Sequence, residues 1–206
     1  MALRMNIFRT LLLACSLAAC GSGETESQAA PKPARQEVAV FAGGCFWCTE
    51  ADFEKVPGVL TARSGYTGGR TQNPTYEQVS AEGTGHYEAV RITFDPARVS
   101  YATLVRHYFR TVDPTDAGGQ FCDRGESYRT AIFAVGAKQK AEAERAKAEA
   151  EKVLRRKLVT PVLTAGSFWF AEAYHQDYYK NNPIRYKYYR SRCGRDDRLK
   201  EVWGGK

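Results

Sequence analysis

Apolar and polar side chains alternate across residues 85–94 (GHYEAVRITF), which predicts a strand with Tyr87, Ala89 and Arg91 on one face and His86, Glu88, Val90 and Ile92 on the other. Asp95-Pro96 ends it. Upstream, Val38, Val40 and Phe41 predict a short strand, then a Gly43-Gly44 turn, then Cys45 at the mouth of a helix that continues to Glu54. Residues 58–64 read as a second strand, followed by a loop over 65–69 and a turn at Asn73-Pro74. Leu104, Val105, Tyr108 and Phe109 recur at helical spacing within residues 101–111, with Ser100 as N-cap. A glycine-bearing loop (113–126) leads to a strand (128–135). Residues 137–158, rich in Ala, Glu, Lys and Arg with opposite charges four apart, predict an exposed helix. Residues 159–165 give a last strand. Residues 168–189 are aromatic without a clear period, and the basic stretch 180–198 reads as a solvated, loosely ordered tail. The order strand, helix, strand, strand, helix, strand predicts an α+β fold: a two-layer α/β sandwich with a split βαβ (ferredoxin-like) core and a loop-rich C-terminal tail.

The N-terminal end follows a different pattern. Arg4 and Arg9 precede an apolar run over 11–19, too short to span a bilayer and suited to a signal peptide covering residues 1–19. Leu17-Ala18-Ala19-Cys20 looks like a bacterial lipobox, so Cys20 is the expected lipidation site and membrane anchor; an ordinary cleaved signal with a secreted product is the alternative. Gly21 rather than Asp after that cysteine favours the periplasmic face of the outer membrane. Residues 20–36 then comprise the lipidated cysteine and a flexible tether whose sixteen residues after Cys20 (GSGETESQAAPKPARQ) span roughly 20–24 Å. Residues 37–206 are expected to form a single domain with a mobile C-terminal tail. A length of 206 residues, 43% of them hydrophobic, leaves no room for a second core. The net charge of +7 includes Arg4 and Arg9, and the remaining excess is spread along the chain, which argues against nucleic acid as a partner.

Cys45 carries the candidate chemistry. At a helix mouth the unpaired N–H groups and the helix dipole favour a thiolate, Phe46 and Trp47 offer an apolar wall, and Gly43-Gly44 permits close backbone approach. A small buried cysteine is the structural alternative. The stretch GCFWCTE resembles the active-site motif of the A-type peptide methionine sulfoxide reductases, and further motifs follow in order: Tyr76 in NPTYEQV, Glu88 in GHYEAV, Asp123 in FCDRG, Tyr128 in YRTAIF and Cys193 in KYYRSRCGR. The resemblance runs over residues 38–195. It implies the α+β architecture above and reduction of methionine S-sulfoxide, free or in proteins.

The resemblance also implies the roles. Cys45 is the nucleophile and Glu88 the proton donor, Tyr76, Tyr128 and Asp123 bind substrate, and Phe46 and Trp47 grip the S-methyl group. Attack leaves a sulfenic acid on Cys45, which Cys193 resolves as a disulfide reset by an external thioredoxin-like dithiol. No cofactor is implied, and a monomer is expected. Nothing follows Cys193 to take its disulfide, so single-step recycling is expected. Cys48 completes a C-x-x-C with Cys45, Cys122 stands where many relatives have no thiol, and Gly125-Glu126-Ser127 replaces a common Gly-Thr-Gln. His86, His107 and His175 lack metal-ligand spacing, and no metal is expected. Two other functions fit the residues less well. One is a thioredoxin-like disulfide exchanger using Cys45 and Cys48; the other is a non-enzymatic surface lipoprotein whose aromatic C-terminal half binds a partner.

Overall fold

Strand alternation sets the frame of the molecule. A computed structural model describes residues 35–204; the expected signal peptide, Cys20 and nearly all of the expected tether lie outside them. In chain order the elements are β1 (Glu37–Gly43), α1 (Phe46–Phe53), β2 (Val59–Thr67), α2 (Tyr76–Ser80), β3 (Tyr87–Phe94), α3 (Tyr101–Arg110), β4 (Gly119–Gln120), β5 (Asp123–Arg124), β6 (Thr130–Ala134), α4 (Gly136–Leu154), β7 (Val162–Thr164), β8 (Phe168–Phe170), α5 (Tyr178–Asn181), α6 (Pro183–Arg192) and α7 (Arg195–Trp203). Six strands form one mixed sheet in the order β7-β6-β1-β3-β2-β8, and β4 pairs with β5 in a separate hairpin. All pairs in the large sheet are antiparallel except β6 with β7. β3 therefore runs between β1 and β2; β7 at one edge is the last strand expected over residues 159–165, and β8 at the other edge is a strand beyond those expected.

The alternation in β3 is realised as predicted: Val90, Ile92 and Phe94 join the main core, while Ala89 packs in a smaller cluster on the opposite face with Val40, Ala42, Ala131 and Phe133. The main core is closed by α1, α3 and α4. Ser100 caps α3 by accepting the Thr103 N–H at 3.2 Å, and Leu104, Val105, Tyr108 and Phe109 are buried. The Tyr108 hydroxyl reaches across to donate to the Ala42 carbonyl at 2.7 Å, tying α3 to β1. In α4 the charges face solvent as expected, but Ala143, Ala146 and Ala150 form a buried stripe whose small side chains allow a close fit. None of the described helices is long and apolar enough to cross a membrane.

Two expectations need correction. The loop expected from residue 65 is strand: β2 runs on to Thr67, with Gly65 opposite both Ala89 and Phe170. A Cβ at Gly65 would stand 2.3 Å from the Trp169 carbonyl oxygen, so this glycine permits close approach of β8 rather than marking a turn. The expected mobile basic tail is instead two helices, α6 and α7, with Arg195 and Trp203 buried. Trp203 Nε1–H donates to the Val112 carbonyl at 3.0 Å, and Arg110 lies over its ring. Isolated solvated charges were the natural reading of Arg190, Arg195 and Arg198; beside the local partners Asp196 and Glu201, they also meet Asp52, Asp113 and backbone carbonyls from distant parts of the chain.

Gly65→Ala is expected to lower the unfolding free energy by about 1–3 kcal/mol through overpacking against β8. Gly166→Ala, where nothing lies within 4 Å of the added carbon, should change the urea midpoint little. Equal midpoints for the two variants would contradict the packing argument.

Candidate active site

Local sequence places Cys45 first. β1 ends at Gly43, and Gly44 takes φ +79° with Gln120 so close behind it that a Cβ would meet the Gln120 Cβ at 2.5 Å. The chain then enters α1 with Cys45 as N-cap, its carbonyl accepting the N–H groups of Cys48 and Thr49. On β3, the alternation that buries Val90 also turns Glu88 to the same side, where Glu88 Oε2 accepts the Phe46 N–H at 2.9 Å. Cys45, Phe46, Trp47, Tyr76, Glu88, Asp123, Tyr128 and Tyr189 line one small pocket of about 70 Å³. Seven of these eight were expected from sequence. Tyr189, one aromatic among many in a stretch without periodicity, carried no signal that singled it out.

The surrounding contacts lock the pocket walls. The Trp47 indole stacks on Tyr178 at 3.8 Å between ring centroids, and its Nε1–H donates to His175 Nδ1 at 3.0 Å. Burial lowers the pKa of His175, which suits it to accept that bond as a neutral ring. Tyr76 is placed by α2: its N–H donates to Glu172 Oε1 at 2.8 Å, and the other oxygen of Glu172 accepts the Tyr66 hydroxyl at 2.9 Å. The Tyr189 hydroxyl donates to Asp123 Oδ2. This links α6 to the β4–β5 hairpin.

Electrostatics distinguish the titratable groups. Complete burial pushes Glu88 up to about 8, with Asp123 adding to the effect and the Phe46 N–H opposing it, so the carboxyl is protonated at neutral pH. Burial, followed by the charge of Glu88, raises Tyr76 and Tyr128 and keeps both as hydroxyl donors. Burial also raises Asp123, against the Tyr189 hydroxyl and Arg195.

Cys45 departs from the sequence expectation. Its thiol is pushed well above the ordinary value, first by burial, then by the Cys48 sulfur and by Glu88 and Asp123. At 5% exposure the desolvation outweighs the helix mouth, whose first N–H is already taken by Glu88. Cys48 is also buried and moves the opposite way: the hydrogen bond from Cys45 lowers it, against burial and helped by Arg195 and Arg190.

Cys193 also departs from expectation. It is bonded to Cys122, with Cα atoms 4.8 Å apart, and Cys45 and Cys48 are free thiols. Cys193 sits at the C-cap of α6, one turn beyond Tyr189, and its N–H donates to the Tyr189 carbonyl at 2.9 Å. Cys122 lies in the turn between β4 and β5, adjacent to Asp123. Their pairing spans 71 residues, a relation no local motif encodes. Cys122, Asp123 and Cys193 are the one group of donors among the described residues close enough to hold a metal ion, and the bond between the sulfurs removes both thiols from ligation.

Comparisons with known proteins bear on this arrangement. A family model described as peptide methionine sulfoxide reductase matches residues 37–206. Peptide methionine sulfoxide reductase MsrA 2 of Caulobacter vibrioides is 54% identical over 196 residues, covering 95% of this chain and 97% of the relative. The protein of the same description from Rhizobium meliloti is 57% identical over 173 residues, covering 84% and 86%. Among solved structures, the reduced form of Mxr1 from Saccharomyces cerevisiae superposes with a TM-score of 0.70 at 28% identity, covering 74% of this chain and 89% of that one.

The raised Glu88 has a consequence for stability. The folded state holds this proton up to about pH 8, whereas an unfolded glutamic acid releases it near pH 4.3. Stability should therefore fall as pH rises through that window, by up to about 1.4 kcal/mol per unit. Glu88→Gln keeps an acceptor for Phe46 and cannot ionise, so its urea-unfolding free energy should gain on the wild type from pH 5 to pH 8. Parallel pH profiles for the two proteins would refute the assignment.

Proposed function

Since the chain belongs to the peptide methionine sulfoxide reductase family, we propose that its pocket reduces methionine S-sulfoxide with Cys45 as nucleophile and Glu88 as proton donor. The observation that carries this reading is the convergence of a buried thiol, a neutral carboxyl and two tyrosine hydroxyls on one cavity bounded by Phe46 and Trp47. The S-methyl group lies against the two aromatic rings, and the sulfoxide oxygen points to Glu88, Tyr76 and Tyr128. Asp123, held by Tyr189, borders the substrate main chain.

The sulfur of Cys45 attacks the sulfoxide sulfur while Glu88 supplies a proton to the oxygen. Protonated Glu88 also withdraws a negative charge that would otherwise hold the proton on Cys45. The net step converts thiol and sulfoxide into cysteine sulfenic acid and methionine. A second thiol of the chain, Cys193, then condenses with the sulfenic acid, releasing water and forming a disulfide. A thioredoxin-type dithiol reduces the disulfide, and no prosthetic group is needed.

We read the sheet as a split βαβ core, β1-α1-β2 with β3 inserted, extended by the edge strands β7 and β8. A disulfide exchanger built on Cys45 and Cys48 is disfavoured because both sulfurs are buried from any protein thiol. On the sequence pattern alone, we place the enzyme on the periplasmic face of the outer membrane, anchored through a lipidated Cys20.

Cys45→Ser should abolish reduction of methionine S-sulfoxide, and retention of full turnover would sink the nucleophile assignment. Glu88→Gln should lower kcat by about 10²–10⁴ and remove the decline of kcat/KM above about pH 8 that ionisation of Glu88 imposes on the wild type. An unchanged alkaline limb in that variant would reassign the proton donor. Cys20→Ala should shift the protein from the membrane to the soluble fraction, and equal membrane retention would overturn the anchor.

A further inference from the structure

The Cys122–Cys193 bond has no part in a one-disulfide cycle. While it is formed, Cys45 is a free thiol and the pocket around it is complete, with Glu88 protonated, Tyr189 donating to Asp123, and Trp47 held by Tyr178 and His175. The oxidised chain is therefore still a competent site.

Exposure separates the sulfurs further. Cys45 is 5% exposed at the base of the pocket, whereas Cys122 is exposed on the turn of the β4–β5 hairpin and Cys193 is half-buried beside it. A protein dithiol can reach the second bond and not the first sulfur. Both bonded cysteines also stand next to pocket walls: Cys122 precedes Asp123, and Cys193 is one turn past Tyr189 on α6. Arg195, buried two residues after Cys193, lies over the Phe121 ring at 4.5 Å, which holds the hairpin turn and the end of α6 together.

We propose that Cys122 is a third redox residue of this enzyme, which carries the oxidising equivalent from the buried site to the surface where the reductant collects it. This deepens the reductase reading above and rests on it. Cys45 sulfenic acid condenses with the Cys193 thiol, giving the Cys45–Cys193 disulfide and water. The Cys122 thiolate then attacks the Cys193 sulfur; the Cys122–Cys193 bond forms, the Cys45–Cys193 bond breaks, and Cys45 leaves as a thiolate that takes up the proton released by Cys122. An external thioredoxin-type dithiol finally reduces Cys122–Cys193 to two thiols and becomes a disulfide itself. The single-step recycling expected from the absence of a cysteine after Cys193 gives way to a relay, because the third thiol is supplied from a loop 71 residues upstream.

The stoichiometry without reductant tests this. The full chain is reduced, freed of reductant without air, and given excess methionine S-sulfoxide. The wild type should form about two methionines per chain, since Cys45 is regenerated once, and peptide mapping should find Cys122 joined to Cys193. Cys122→Ser should form about one methionine per chain and stop as Cys45–Cys193, with thioredoxin-driven turnover reduced at least about tenfold. The single methionine itself reports that the variant is folded. Two methionines per chain from Cys122→Ser would overturn the relay. So would one methionine from the wild type with a Cys122–Cys193 bond that survives the initial reduction, the behaviour of a static staple. No methionine from any form would overturn the reductase reading, and the relay with it.

Discussion

The hydrogen bond from the first amide of α1 to Glu88, joining residues 42 apart in sequence, is the contact on which the site depends. It fixes the carboxyl of a central strand beneath the helix mouth that carries Cys45, inside the layer where β3 meets α1. Burial at that point raises the carboxyl, and the N–H alone is too weak to reverse it. The bond thus holds the acid beside the thiol, and burial, acting against that same bond, sets the protonation state that makes the acid useful.

The same contact explains why Cys45 is not a resting thiolate. A helix mouth stabilises an anion through N–H groups that are still free, and here the leading one serves Glu88. What remains is a desolvated sulfur beside Cys48 and Asp123, both of which disfavour its ionisation. With the roles proposed above, activation is tied to substrate: a sulfoxide oxygen that takes a proton from Glu88 and hydrogen bonds from the tyrosines supplies the compensation the resting pocket withholds. In that proposal the buried thiol, silent without substrate, is also protected from adventitious oxidation.

The C-terminal helices provide the counterweight. Arg195 donates to the Gly43 carbonyl at 3.3 Å and to that of Thr111 at 2.8 Å, so it braces the end of β1 immediately before the Gly44-Cys45 turn. Asp52 of α1 faces both Arg190, at 2.9 Å, and Arg195, at 3.8 Å. These buried ions are held because each finds a partner; alone, any of them would be expelled to solvent. The brace also brings the end of α6 to the β4–β5 hairpin, and with it Cys193 to Cys122.

Much of the site was legible in the chain because it depends on short periods. Period-two alternation put Glu88 on the same face of β3 as Val90 and Ile92, Gly43-Gly44 before Cys45 signalled the turn into α1, and Ser100 marked the start of α3; the ordered motifs around Cys45, Tyr76, Glu88, Asp123 and Tyr128 pointed to the pocket residues. Gly65 misled, since a glycine needed for a turn and one needed for a close strand contact look alike until the neighbouring strand is in place. The state of Cys45, the burial of Arg195, the role of Tyr189 and the partner of Cys193 were decided only by the tertiary structure. Each is a sum of desolvation and through-space contacts from elements up to 152 residues apart, and neither composition nor spacing carries that sum before the chain has folded.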